Sequence, residues 1–377
     1  MLQAIQAYRS GLTPNNVTTT PLACWIGRVA GLEDAALPHH LEQWECRNNR
    51  LAWLALHQDD MLSALSQASH RYGKERIAIV IGTSTASIAA SEEGYHSLCY
   101  DAQGPFFQPG SQNEKIHTPH APGAFVQHVT GLTGPCVTIS TACSSSAKAF
   151  AQASRLIQAN IVDAALVGGV DTLCNSVLFG FNALQLLSTQ PCRPFDVARD
   201  GLSIGEAGGF ALLERSHGAQ FSDLALLGYG ESSDAYHMSS PHPDGLGARL
   251  AIQAALDRAD LMPNAIDYIN LHGTATPAND RVEAALVADL FPNTTYASST
   301  KGWSGHTLGA AGIVEAVITM LSLRHDILPG TLHTTQLDPC CGPQIQYKNT
   351  IRHIRHAMSN SFGFGGNNCA LLFGRTR

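Results

Sequence analysis

The sequence predicts an α/β fold assembled from two similar halves. Two observations carry that reading. Short apolar runs recur along the 377 residues and alternate with stretches of helical periodicity. The grammar of strand, small-residue turn and helix also appears twice, once on each side of Gly218 to Asp223, dividing the chain into residues 1–217 and 218–377.

Taken in order, Ile77–Ile81, Cys136–Ile139, Ala164–Val167, Phe210–Leu213 and Ile266–Leu271 are apolar runs of strand length. Helical spacing marks Ser144 to Asn160, where Phe150, Ala153 and Ile157 share a face. It also marks Ala248–Arg258, Arg281–Leu290 and Ala310–Arg324. Near the end, Ala357–Ser361 and Cys369–Phe373 flank the glycine-rich run Phe362-Gly363-Phe364-Gly365-Gly366, predicting two strands joined by a turn. Gln103 to Pro122 reads as a long loop of the kind used for lids or interfaces.

Composition narrows the function. Apolar residues make up 44% of the chain and charged residues only 14%, so much of the surface is expected to be buried in a thick core or against another subunit. A formal net charge of −7 argues against a nucleic-acid binder, which needs a basic face. Ten cysteines occur with no Cys-x-x-Cys spacing, and Met1 to Ser10 contains no apolar signal region. Reduced, mostly buried thiols are expected rather than a disulfide framework or a zinc knuckle. The 17 histidines are scattered, and no metal site is expected. The most apolar helix, Ala310 to Leu323, contains Glu315 and is shorter than the roughly 20 residues that span a bilayer. A soluble, cytoplasmic chain without a membrane span is the expectation.

Three segments carry chemistry. In Ser140-Thr141-Ala142-Cys143-Ser144-Ser145-Ser146 a strand ends, small residues turn, and a helix begins at Cys143. A thiol at a helix start is expected to ionise more easily, and the small neighbours to leave room for an acyl group. His272 follows an apolar strand in Leu271-His272-Gly273-Thr274-Ala275-Thr276. His306 sits in the glycine-flanked turn Gly305-His306-Thr307 before a helix, with Lys301 and Glu315 nearby in sequence. A thiol can hold an acyl group covalently, and two imidazole N–H groups can stabilise the enolate formed when a malonyl thioester loses CO₂. A cysteine protease needs only one histidine, as base.

At these residues the chain resembles the β-ketoacyl-(acyl carrier protein) synthase family, thiolase-like superfamily. The likeness runs through Thr141 to Ser146, Cys192-Arg193-Pro194-Phe195-Asp196, Ala235 to Met238, His272 to Thr276, Lys301 to Gly312 and Asn360 to Gly366. The resemblance implies a five-layer αβαβα fold of two pseudo-duplicated halves. It implies Cys143 as acylated nucleophile, His272 and His306 as the decarboxylation pair, and Lys301 with Glu315 as supporting charges. The backbone N–H groups of Cys143 and Phe364 would form the oxyanion hole, with Phe364 as gate. Thr274 and Thr276, with Phe362 and Gly365, would contact substrate, and Asp280 matches a structural acidic position. No cofactor is implied beyond the phosphopantetheine arm of acyl carrier protein, the expected partner. Either a homodimer or a heterodimer with a chain-length factor fits. A non-catalytic chain-length-factor role is the alternative, disfavoured by the intact Cys143; a thiolase working on coenzyme A esters is disfavoured by the second histidine.

The sequence departs from that family in places. Met1 falls inside what is usually the first helix, the order Glu206-Ala207-Gly208-Gly209 differs, and Trp303 and Asn367 replace other residues. Arg47, Arg50, Arg193 and Arg199 are candidate docking residues for the acidic carrier. Leu178 to Leu184 loosely resembles ketosynthases of aryl polyene synthesis, against ordinary fatty-acid elongation.

Overall fold

The computed structural model describes residues 1–108, 113–216 and 223–376. The expected division point therefore falls almost wholly outside the described residues. Two sheets organise the molecule. The first contains β1 (Ile77–Gly82), β2 (Cys136–Ile139), β3 (Ala164–Asp171) and β4 (Ala207–Glu214) in the order β2-β1-β3-β4. The second contains β5 (Leu224–Ser233), β6 (Tyr268–Asn270), β7 (Tyr296–Ser298), β8 (His356–Gly363) and β9 (Asn367–Arg375) in the order β7-β6-β8-β9-β5.

The sheets repeat one plan. In each, the first three strands of the order are parallel and the fourth runs antiparallel. The second sheet adds β5 beyond β9. Among the described residues no strand occupies the matching place beyond β4, which is the edge strand of the first sheet. β1 and β3 are buried along their whole lengths, which explains why both read as unbroken apolar runs rather than alternating ones.

Helices complete the layers. They are α1 (Arg47–Leu56), α2 (Met61–Tyr72), α3 (Ala121–Thr130), α4 (Ser145–Gln158), α5 (Asn175–Ala183), α6 (Leu246–Ala259), α7 (Pro277–Leu290) and α8 (Ala311–His325). One apolar cluster joins α4 and α8 to both sheets, through Ala78, Phe150, Ile313, Leu371 and Phe373 among others. A second packs α6 and α7 on the far side of the second sheet, and a third packs α1, α2 and α3 on the far side of the first. Helix, sheet, helix pair, sheet, helix is the five-layer arrangement expected.

The central layer is tight. A Cβ on Gly312 would lie 2.3 Å from the backbone nitrogen of Ala147, so α8 and α4 meet almost backbone to backbone at their N-terminal ends. Ser146 Oγ accepts a hydrogen bond from Ile313 N at 2.9 Å across the same contact. Phe150 on α4 meets Phe373 on β9 edge to face at 5.8 Å, and truncating such a buried ring costs about 3–5 kcal/mol.

Segments outside this frame also have places. Leu2–Gln6 is a short helix whose Ile5 packs with Trp303, Val314 and Ile318, so Trp303 is a packing residue and not a pocket residue. Within the expected loop Gln103–Pro122, Gly104–Phe106 instead pairs with Cys99–Asp101 as a hairpin and α3 starts at Ala121; residues 109–112 lie outside the described residues. Leu308–His325 is, among the described residues, the one helix long and apolar enough to cross a membrane. It is mostly buried between the two sheets and carries the buried Glu315. All ten cysteines are free, six of them buried.

Candidate active site

The nucleophile turn is built by strain and stapling. After β2 the chain reaches Ala142, held in the left-handed region at φ 52°, before α4 begins. Ser144 Oγ donates to Thr141 O at 2.9 Å, Ser145 Oγ to Ala142 O at 2.6 Å, and Thr141 N to Ser145 Oγ at 2.9 Å. All three serines are fully buried: Ser144 and Ser145 lock the turn, and Ser146 accepts a hydrogen bond from Ile313 N on α8, so they do not leave the acyl space expected from their size.

Cys143 is buried, and its sulfur lies 2.9 Å from His306 Nε2. Burial pushes the thiol up to about 11, against the opposing pull of Lys301 and the Phe364 N–H. The expectation of an easily ionised thiol is thus reversed in the resting site: α4 begins at Ser145, two residues beyond Cys143, and removal from water outweighs the nearby cation and the Phe364 N–H.

The two imidazoles arrive from the other half. β6 ends at Asn270, and the turn after it carries His272, whose backbone N–H and that of Gly273 donate to Glu283 at 2.8 and 2.7 Å. His306 is clamped to the first half: its N–H donates to Ser203 O at 2.7 Å, and its carbonyl accepts from Gly205 N at 2.9 Å. Gly305 turns at φ 71° against the Ile204–Gly205 backbone, where a Cβ would sit 3.0 Å from Gly205 N; this close approach requires glycine.

The rings of His272 and His306 are 5.4 Å apart and nearly perpendicular. Cys143 Sγ and one nitrogen from each ring lie within 4.8 Å of one another. Burial, then the charge of Lys301, holds both imidazoles well below the usual histidine range, so both are neutral at pH 7. A neutral imidazole has one N–H to donate. Thiol and imidazole are also zinc donor types, so a soft divalent ion could be held by the same three atoms.

Lys301 and Glu315 form a buried ion pair, and Lys301 Nζ also donates to the His272 carbonyl. Burial pushes Glu315 up to about 7 despite Lys301. The Phe364 turn closes the site. A Cβ on Gly363 would meet Thr141 O at 3.0 Å and Cys143 N at 3.2 Å, which shows how near the glycine turn comes to the nucleophile turn. Phe364 stacks on Phe181 of α5, centroids 5.5 Å apart and planes at 19°. Thr274 and Thr276 hydroxyls lie 2.9 Å from each other, and both line a cavity of about 270 Å³ with Cys143, His272, His306 and Phe364. Phe362 lines it too, whereas Gly365, at φ 73°, bonds through its N–H to Met238 O and belongs to the turn, not to the cavity wall. Asp280 accepts from Phe195 N and faces Arg199.

Sequence reasoning missed Phe181 and Asp234, which line the cavity, and Glu283, which holds the His272 turn. Of the four arginines suggested for docking, Arg47 and Arg50 are partly exposed but already ion-paired, and Arg199 is buried. Arg47 pairs with Glu33 and Glu206, Arg50 with Glu45, and Arg199 with Asp338 and Asp280, while Arg193 has a buried, unpartnered Nε. Asn367 takes a hydrogen bond from Lys148 Nζ at 3.2 Å, so that departure still has a polar partner.

Comparison with known proteins agrees with this geometry. The family described as "Beta-ketoacyl synthase, N-terminal domain" matches residues 50–219, and "Beta-ketoacyl synthase, C-terminal domain" matches residues 225–335. The mitochondrial 3-oxoacyl-[acyl-carrier-protein] synthase of Arabidopsis thaliana is 38% identical over 80% of this chain and 68% of its own. The chain belongs to the β-ketoacyl synthase family. The 3-oxoacyl-[acyl-carrier-protein] synthase 2 of Vibrio cholerae is 34% identical over 80% of this chain and 76% of its own. Among solved structures, a chain of the ketosynthase and chain length factor complex from Xenorhabdus doucetiae aligns at TM-score 0.89 and 37% identity, covering 99% of this chain and 92% of that one. A β-ketoacyl synthase from Burkholderia phymatum aligns at 0.84 and 27%, covering 100% and 95%. The thiolase-like ketosynthase fold and the condensing, acyltransferase class of activity follow.

Proposed function

We propose that this synthase joins an acyl group held on Cys143 to a malonyl unit carried by acyl carrier protein, with release of CO₂. The observation that carries the reading is the convergence of one sulfur and two imidazole nitrogens within 4.8 Å. First, the Cys143 sulfur attacks the acyl thioester; the new C–S bond forms as the bond to the pantetheine sulfur breaks. The thiol proton passes to that departing sulfur, and His306 Nε2, 2.9 Å away, lies on its path. Malonyl thioester then enters. Its carbonyl oxygen accepts N–H groups from His272 and His306, CO₂ leaves, and the electron pair of the broken bond becomes the enolate. The enolate carbon attacks the Cys143-bound acyl carbon, the oxyanion faces the Cys143 and Phe364 N–H groups, and the C–S bond breaks to release the 3-oxoacyl product.

No metal or prosthetic group enters this reading; substrates arrive on the phosphopantetheine arm of the carrier, with Thr274 and Thr276 placed to meet it. Lys301 and Glu315 fix the charge around both histidines. The solved relative that pairs a ketosynthase with a chain length factor supports a related subunit as partner, with a homodimer as the other arrangement. The flat Phe181–Phe364 stack favours a flat, conjugated acyl chain, as in aryl polyene synthesis, over a saturated fatty-acyl one. The test combines acyl-carrier protein, malonyl-carrier protein and the enzyme, and follows CO₂ and the 3-oxoacyl product by mass spectrometry. Undiminished product from Cys143→Ala would overturn the reading. A wild-type protein that never carries an acyl adduct on Cys143 would favour the non-catalytic, chain-length-factor role instead.

A further inference from the structure

We infer that Asp171 is a positioning residue that ties the nucleophile turn of the first half to the His306 segment of the second. It stands at the last position of β3, fully buried, with no cation among its hydrogen-bond partners. Its carboxylate is surrounded by donors. Oδ1 accepts from Thr83 Oγ1 at 2.6 Å, Ser84 N at 2.9 Å, Thr85 N at 2.8 Å and Thr85 Oγ1 at 2.8 Å. Oδ2 accepts from Ser84 N at 2.9 Å and from Gly309 N at 2.6 Å.

Two of those links lead to the site. Ser84 Oγ donates to Ala142 O at 3.2 Å, and Ala142 is the left-handed residue just before Cys143. Gly309 follows Leu308, which is left-handed at φ 55° and lies two residues after His306. Non-glycine residues hold such conformations only where their surroundings over-determine them. One carboxylate therefore braces both unusual turns, one beside the thiol and one beside the imidazole 2.9 Å from it. A side chain at 309 would strike the same group, its Cβ 2.7 Å from Asp171 Oδ2. The carboxylate is also one of the anions, with Glu315, whose charge raises the Cys143 thiol, against Lys301 and the Phe364 N–H.

This role rests on the condensing reading but is separable from it. Asp171→Asn keeps the shape yet turns an NH₂ toward one of the two sets of N–H donors. Expected are a 10- to 100-fold fall in malonyl decarboxylation and condensation, KM for the malonyl carrier within about threefold, and a shift of Cys143 alkylation by iodoacetamide to lower pH. The alkylation profile of Cys143 faces Lys301, Glu315, His272 and His306 as well, so it is compared with wild type at matched ionic strength. Ser84→Ala, which cuts only the link to Ala142, should slow acyl loading 3- to 10-fold and leave the alkylation profile in place. A folded Asp171→Asn with rates within twofold of wild type and an unmoved alkylation profile overturns the inference. If Asp171→Asn does not fold, unaltered acyl loading in Ser84→Ala does so. If wild type itself neither loads acyl groups nor releases CO₂, the proposed function fails, while the alkylation shift still reads the role of Asp171.

Discussion

The two halves use one scaffold for different tasks. The turn after β2 delivers the thiol, and the turn after the matching strand β7 delivers Lys301 and then His306. The turn after β1 holds Thr83 to Thr85 against Asp171; the turn after the matching β6 holds His272 and Gly273 against Glu283. Between β3 and β4 the chain makes the long excursion that carries Phe181, whereas β8 and β9 are joined by the tight turn that carries Phe364. The strand order is shared, and the chemistry resides in what each half appends to equivalent strand ends. That is why a duplicated frame yields an asymmetric site.

Substitutions in one half at a time break that division. Cys143→Ala should leave the fold intact and lower condensation by more than about 10⁴-fold, read by product mass spectrometry, because the covalent intermediate is lost. Lys301→Ala leaves Glu315 buried without its cation and should destabilise by about 3–5 kcal/mol in urea unfolding. Replacing the pair together with Met and Leu should recover most of that stability but not the rate.

His272→Ala and His306→Ala should each reduce decarboxylation by about 10²–10³-fold, or about 2.7–4 kcal/mol. Only His306→Ala should also slow acyl loading, since only His306 touches the sulfur in the resting site. Equal loading defects in the two variants would show that the halves are not divided as described.

Glu283 sharpens the comparison through pH. Burial pushes it up to about 7, so its stabilising effect is full below the ordinary carboxylate value near 4.5 and is lost as pH rises through 7. His272 and His306 have the opposite sign: their lowered values mean stability falls as pH drops through 6.5, where the unfolded chain takes up protons. Glu283→Gln should therefore uncover a steeper rise in stability from pH 5 to 7, by about 2 kcal/mol, in urea melts across that range. The smallest effect concerns the Phe181–Phe364 stack. Phe181→Leu should change the preference between polyunsaturated and saturated primers by about 3- to 10-fold, about 1 kcal/mol of stacking.

Much of this division was legible in the residues. The strand, turn and helix around Cys143, both histidine turns and the glycine run at Phe364 all read correctly, because each is a local pattern of apolar run and small residues. β5 was not anticipated, since Gly228 and Gly230 interrupt its apolar run. Those glycines let α6 lie against the strand, where a Cβ at 230 would fall 1.8 Å from Ala251 O. β7 is only three residues long, and α5 contains Gly180 in a weakly periodic stretch. Asp171 and Glu283 are invisible as supports because their partners, backbone N–H groups and for Asp171 two threonine hydroxyls, are brought near only by folding. The thiol's raised pKa is hidden for a related reason: a nearby helix start shows in the sequence, but the depth of burial does not.

The near-contact of Gly312 with Ala147 has a consequence for how the enzyme tolerates change. The clearance between the two halves, at the very ends of the helices that follow His306 and Cys143, is narrower than one methyl group. Any larger residue there would wedge the halves apart at the point where sulfur and imidazole must meet, so the reach of the chemistry is set by a missing side chain.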